Sequence, residues 1–327
     1  MVDSLKQNEF KEALKDTAEE VQEVGIHGAK LQRAKLNKKL PQEDKAALDL
    51  ALEKYADWIT SLNELTENTG EEYIKKAVKL LNDYKFYIDY DLIFNRHSDF
   101  LYRQKGQLKL DNTIMEEFLP VMVFNALTID GLIKPNIQIG TQTKTFSSIR
   151  FIGNLVSDDP EMGLEIKTKD QDFAITKRLF VKTSQTEDFN EEKSRVFDLG
   201  YIMAEMKTNL DKTMFQEASA TAKDVKFAIP NAKYFLLAEF LDMPPISTLT
   251  TEIDEVLVLR KAKRLSSNFR SKFSKWETRK TILDEYSEFL KEHPYEAELF
   301  IRFYNNVVAV FSESLNDEKE ILKQGYF

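Results

Sequence analysis

The sequence predicts a mixed α/β (α+β) fold: a sheet flanked by helices and set between helical N- and C-terminal regions. Three observations predict it. Apolar residues recur at three- and four-residue spacing up to about residue 84, alternate from about residue 136, and return to helical spacing after about residue 276. The run Tyr234–Phe240 is nearly all apolar, as a strand covered on both faces should be. Only ten glycines and eight prolines occur in 327 residues, and none cluster into a linker, so the boundaries are soft. These patterns delimit a mainly helical region at 1–135, a core at 136–265 and a helical region at 266–327.

Taken in order, residues 5–24 carry Leu5, Phe10, Leu14 and Val21 on one side and predict a helix. Residues 42–66, with Leu48, Leu52, Tyr55, Trp58 and Leu62, predict a second, ended by Asn68-Thr69-Gly70. Residues 71–84 predict a third through Tyr73, Ile74, Val78 and Leu81. Residues 85–135 are mixed and rich in aromatics, with polar loops expected at Asn95–Ser98 and Tyr102–Gly106. Alternation at Ile137–Ile139 and Thr145–Ile152 predicts strands. Leu164–Thr168 and Phe173–Thr183 follow as strands, split by a turn at Lys169-Asp-Gln-Asp172. Gly200–Lys207 reads as a strand, Asp211–Val225 as a helix, and Tyr234–Phe240 and Glu255–Arg260 as strands. Ile282, Tyr286, Leu290, Leu299, Phe303 and Val307 mark the closing helices.

Composition removes several kinds of chemistry. There is no cysteine, which excludes disulfides, Cys-ligated zinc, iron–sulfur clusters and thiol catalysis. The three histidines, His27, His97 and His293, are scattered. The first residues lack the apolar core of a signal peptide, and no apolar run approaches the ~20 residues that cross a bilayer. A cytoplasmic protein is expected. The net charge of −9 does not by itself invite nucleic acid, but phosphates are bound by local patches.

The stretch Phe197–Thr208 carries the chemistry. In a strand, side chains alternate, so Glu205 and Lys207 share a face. Asp198 precedes the strand, where a bend can bring its carboxylate round. Two carboxylates can hold Mg²⁺, a hard cation that prefers oxygen, and the Met206 carbonyl between the two key side chains is a further oxygen ligand. Such a metal activates water and stabilises phosphoryl charge, and the lysine adds a positive charge beside it. An isolated Glu-x-Lys is common, and a second one stands at Glu165-Ile-Lys167, with Asp158 and Asp159 at similar spacing. The first is favoured because a helix follows it, with Met214, Phe215, Ala218, Ala222 and Val225 on one side.

With these residues in place, the sequence resembles the PD-(D/E)XK nuclease superfamily, in which a metal-binding Asp precedes a strand bearing Glu-x-Lys, with a helix and strand after it. The Asp198–Glu205 spacing is similar to that of the mismatch-repair nicking endonuclease and its restriction-enzyme relatives. The string Glu205-Met-Lys-Thr-Asn-Leu-Asp-Lys-Thr-Met-Phe-Gln-Glu-Ala218 resembles more narrowly the type II restriction endonucleases that cut CCTNAGC-type sites. Lys169–Ile175 and Ile253–Arg264 are similar to that family too, so the likeness covers about residues 160–265. By position it implies Asp198 and Glu205 as metal ligands, Lys207 as the catalytic lysine, and Glu217 with Gln216 as side support. The proline that precedes the Asp in the superfamily is Phe197 here, which leaves Asp172 as the substitute for Asp198.

The basic residues cluster behind this core. From Arg260 to Lys280 nine basic residues stand against one acid, Glu277. Arg260, Lys261, Lys263, Arg264, Arg270, Lys272 and Lys275 are candidate phosphate contacts, and Asn268 a hydrogen-bonding one. Phe269, Phe273 and Trp276 are spaced to pack inward. The expectation is a Mg²⁺-dependent double-strand DNA endonuclease leaving 5′-phosphate ends, working as a homodimer or as half of a heterodimer. Region 1–135 is a candidate for base recognition or dimerisation, and the resemblance implies a companion methyltransferase. A nicking or repair endonuclease and a non-catalytic DNA-binding protein are the alternatives.

Overall fold

A computed structural model describes residues 25–152, 163–184, 186–190, 192–312 and 322. The helix expected at 5–24 lies outside them. The described chain opens with helices α1 (Ile26–Lys35), α2 (Gln42–Glu64) and α3 (Gly70–Phe86). Asn68-Thr69-Gly70 does not end a helix, as the sequence predicted; it starts one. Thr69 caps α3 by accepting the Glu72 N–H, and Gly70 donates its own to Asp130. A side chain at Gly70 would run into Asp130, Tyr304 and the Ala126 carbonyl, so the glycine permits a close approach.

The region read as mixed is helical. A π-helix (Tyr87–Phe94) continues α3, followed by α4 (Phe100–Leu108) and α5 (Thr113–Ile129). The polar loop expected at Tyr102–Gly106 is part of α4. Of the aromatics expected in the core, Tyr84 and Phe94 are buried, while Phe86, Tyr87, Tyr90, Phe100 and Tyr102 are half-buried.

Five strands form one sheet in the order β1 (Ile137–Ile152), β2 (Gly163–Ser184), β3 (Glu192–Leu210), β4 (Lys233–Leu241) and β5 (Glu255–Lys263). β1, β2 and β3 are antiparallel neighbours; β3, β4 and β5 are parallel. Lys169-Asp-Gln-Asp172 is not a turn. It lies within β2, paired with β1 through Lys169–Thr145 and Asp170–Lys144, and Gln171 is buried against Thr145. The long-range pairing overrides the local turn composition.

Helix α6 (Lys212–Ala228) covers one face of the sheet. Phe215, Ala218, Ala222 and Val225 pack there with Ala174, Met203, Tyr234, Leu236 and Ala238. The opposite face, through Phe173, Ile175, Ile202, Ala204, Phe235 and Leu237, packs against the N-terminal helices and the last helix, α10 (Ala297–Ser312). β4 is therefore covered on both sides, as its composition predicted. Between β5 and α10 lie two short turns, α7 (Ser267–Arg270) and α8 (Trp276–Arg279), and then α9 (Leu283–Glu292). Among the described residues no helix is long and apolar enough to cross a membrane.

Candidate active site

Strand alternation and register assemble the site. β2 pairs with β3 at Phe173–Ala204, so the next residues, Asp172 and Glu205, stand side by side. Both lie on the face that carries Ala174 and Met203, under α6, and Lys207 follows on the same face two residues on. The Asp172 Oδ2 accepts the Met206 N–H at 2.8 Å, which ties its carboxylate to the Glu205–Lys207 backbone. The Lys207 Nζ lies 2.6 Å from Glu205 Oε1. The Tyr234 hydroxyl, from β4, donates to Glu205 Oε2 at 3.1 Å.

These contacts set the protonation states. Burial raises the Asp172 pKa, and the charges of Glu116 and Glu205 push the same way against the Met206 N–H and Lys207. Burial works to lower the pKa of Lys207, but the hydrogen bond to Glu205 and the charges of Glu205, Asp172 and Glu217 outweigh it and raise the pKa. Lys207 is thus held as an ammonium. Two hard carboxylates crowded together, one reluctant to ionise, form a donor set that suits a divalent cation. Among the described residues no group of three carboxylates or histidines forms a ready metal cage.

The sequence pattern described as Bpu10I restriction endonuclease matches residues 107–327, more than half of the chain. The chain belongs to the Bpu10I restriction endonuclease family. It is a site-specific deoxyribonuclease, a type II restriction enzyme acting on DNA. A comparison with curated proteins finds no match. Among solved structures, a chain described as the native BbvCI A2B2 tetramer at low resolution is similar in fold. It shares 19% identity, the match covers 82% of this chain and 97% of that one, and the TM-score is 0.53.

In this restriction endonuclease, the sequence-predicted residues fall into three groups. Glu205, Lys207 and the substitute Asp172 come together, and Glu217 on α6 is close enough for its charge to act on Lys207. Asp198 does not join them. It sits seven residues back along β3, a contour of roughly 20 Å, and its carboxylate takes both prongs of Arg178 from β2, at 2.9 and 3.3 Å. The reason is that β3 starts at Glu192, not after Asp198, so no bend swings the carboxylate inward. In the rival motif, Glu165 pairs with Arg150 on the β1–β2 hairpin, while Asp158 and Asp159 lie outside the described residues.

The basic segment divides in the same way. Arg260 is not free to touch DNA. It is 4% exposed and donates to Glu239 at 3.2 Å and to the His293 carbonyl at 2.8 Å. Arg279 is fully buried, donating to the carbonyls of Phe94, Arg96, Ser98 and Phe273. Lys261 pairs with Glu298 and Arg264 with Asp242. Lys263, Asn268, Lys272 and Lys275 are exposed, and Arg270 is half-buried. Phe273 is buried and Trp276 packs on His97, so part of the inward stripe holds.

Sequence reasoning missed two groups near the carboxylates. Tyr234 opens a nearly all-apolar strand, yet its hydroxyl holds Glu205. Glu116, from α5, is buried, accepts from Gln142 at 3.2 Å, and acts on Asp172. A carboxylate inside the apolar run Thr113–Ile129 was the available signal.

Proposed function

We propose that this restriction enzyme hydrolyses phosphodiester bonds at a PD-(D/E)XK-type centre made of Asp172, Glu205 and Lys207. The observation that carries the proposal is the hydrogen bond from Met206 N–H to Asp172 beside the Glu205–Lys207 contact. Asp172, Glu205 and the Met206 carbonyl are the residues that would hold Mg²⁺. Bound there, the ion would supply a lowered water pKa and stabilisation of phosphoryl charge. Lys207, kept protonated, places its ammonium against the phosphoryl oxygens; it does not serve as the base. Tyr234 fixes the Glu205 carboxylate, and Glu217 supports the Lys207 charge from the side. A new bond from water oxygen to phosphorus forms, the bond to the 3′ oxygen breaks, and 5′-phosphate and 3′-hydroxyl ends result.

One such centre cuts one strand, so two chains are needed for a double-strand break. The A2B2 assembly of the structural neighbour supports pairing with a second, different subunit, with a homodimer as the simpler arrangement. Exposed Lys263, Asn268, Lys272 and Lys275, with Arg270, are proposed to meet DNA phosphates. The test is digestion of mixed-sequence DNA with Mg²⁺, beside EDTA and Lys207→Ala controls. Discrete bands lost in both controls support the reading, and nicked circles point to a half-enzyme. Cleavage that persists in Lys207→Ala removes it.

A further inference from the structure

The carboxyl ends of the parallel strands open into a cavity of about 230 Å³. Crevices at such strand ends are common ligand sites in α/β sheets. Its lining has three parts. The first is a ring of aromatics from the helical layers, including Tyr102, Phe273, Tyr286 and Phe289. The second is a floor of ion pairs, Lys85 with Asp89 at 2.7 Å and Lys105 with Asp111 at 2.9 Å, contributed by α3, the π-helix and α4. The third is a rim of Arg264 and Arg270. Thr208 also lines the cavity, and it directly follows Lys207 on β3.

Three features say what this space would accept. The floor cations are already matched by carboxylates, so the floor is close to neutral and offers both donors and acceptors. The hydroxyls of Tyr102 and Tyr286 have no hydrogen-bond partner among the described residues, although both rings are largely packed against Phe94 and Phe273. Half-buried tyrosine hydroxyls ordinarily find partners, so these two are open to a ligand. Arg270 uses only its Nε, on the Leu265 carbonyl, and no carboxylate pairs with it. A flat, neutral ring bearing donors and acceptors fits the interior, and an anion fits the rim. A π-helical stretch is rare and recurs at functional sites, and here it supplies Asp89 to the floor.

We infer that this cavity receives one unstacked nucleotide of the DNA substrate, its base against the aromatic wall with the Tyr102 and Tyr286 hydroxyls on its edge, and its phosphate at Arg270. The inference rests on DNA being the substrate and on the Lys207 strand being the cleavage strand. Thr208 follows Lys207 and, by strand alternation, turns to the opposite face of β3, where its hydroxyl meets Asn112, so the nucleotide taken up sits around the strand end from the cleavage centre. Extruding a base costs a few kcal/mol of stacking and pairing, which the ring contacts and hydrogen bonds offset.

The test uses saturation-transfer NMR on the full chain in EDTA. The probes are the four deoxynucleoside 5′-monophosphates and deoxyribose 5-phosphate. Because cleavage is off, the outcome does not depend on which residues are catalytic. The expected result is transfer strongest at base protons, weak transfer to the sugar phosphate alone, and roughly fivefold weaker binding in Tyr286→Phe and Tyr102→Phe. Both substitutions keep the ring packing and remove one hydroxyl. The inference is overturned by no transfer to any nucleotide, by equal transfer to deoxyribose 5-phosphate, or by binding unchanged in both variants. Intact nucleotide binding beside Mg²⁺-dependent cleavage that persists in Lys207→Ala would instead reject only the proposed catalytic centre.

Discussion

Arg279→Ala separates a structural cation from a DNA-contacting one within the same basic segment. The guanidinium is fully buried and donates to the carbonyls of Phe94, Phe273, Arg96 and Ser98 at 2.9–3.1 Å, and lies 2.9 Å from Asp99. It joins the C-terminal segment to the loop after the π-helix. Truncation leaves four carbonyls without a donor and removes a charge from a carboxylate. An unsatisfied buried polar group costs about 1–3 kcal/mol, and a broken buried ion pair about 3–5 kcal/mol. Some carbonyls will recover water, so the predicted loss is about 4 kcal/mol, or roughly 10 °C in Tm. Arg279→Lys recovers only part of it, because an ammonium cannot span four acceptors. Urea denaturation followed by tryptophan fluorescence reads the change. Trp276 lies in the affected segment against His97, so it reports local release as well. Stability unchanged within about 0.5 kcal/mol, with DNA affinity lost, would refute the structural role and place Arg279 on the DNA surface.

Four other outcomes follow from the same geometry. Asp172→Asn should abolish cleavage yet stabilise the metal-free protein near neutral pH, by about 1 kcal/mol in denaturation. The sign follows from the raised pKa: folding favours protonated Asp172, and that stability is lost as pH rises through the folded-state value. Mg²⁺ must displace this proton, so its affinity should rise with pH across the acid range, with proton release on titration calorimetry. Lys272→Ala and Lys275→Ala should each leave Tm unchanged and lower the slope of log affinity against log salt by about 1 in filter binding. Lys85→Met should cost about 3 kcal/mol, because Asp89 loses its nearest cation and the buried Asp89 and Glu239 are left to share Arg260 alone.

The sequence made some parts of this molecule legible and hid others for physical reasons. Elements with strong periodicity, α2, α3, α6 and β4, stand close to where the pattern puts them, since burial of one stripe or of both strand faces dictates residue type. That Glu205 and Lys207 share a face was readable because alternation along one strand is local. Asp172 was legible only as a substitute for Asp198, because its place beside Glu205 depends on register with another strand, and its surroundings, Lys169-Asp-Gln-Asp, have turn composition. Asp198 attracted notice through spacing alone, but Arg178, twenty residues away, neutralises it. Charge counting flagged Arg260 and Arg279, and no count distinguishes a cation facing phosphate from one buried among carbonyls. Helix α5 was obscured by Pro120 and by apolar residues on nearly every side.

The proposed centre takes Asp172, and not Asp198, as its metal-binding aspartate. The most direct test is plasmid cleavage and nicking with Mg²⁺ by Asp172→Ala and Asp198→Ala, each compared with the unaltered protein under conditions in which it cuts. The account predicts a loss of about a thousandfold or more for Asp172→Ala, the scale for removing an electrostatic group from such a centre. Asp198→Ala, which gives up only an exposed pairing with Arg178, should cut within about threefold of the unaltered protein. A dead Asp198→Ala beside an active Asp172→Ala would contradict the account.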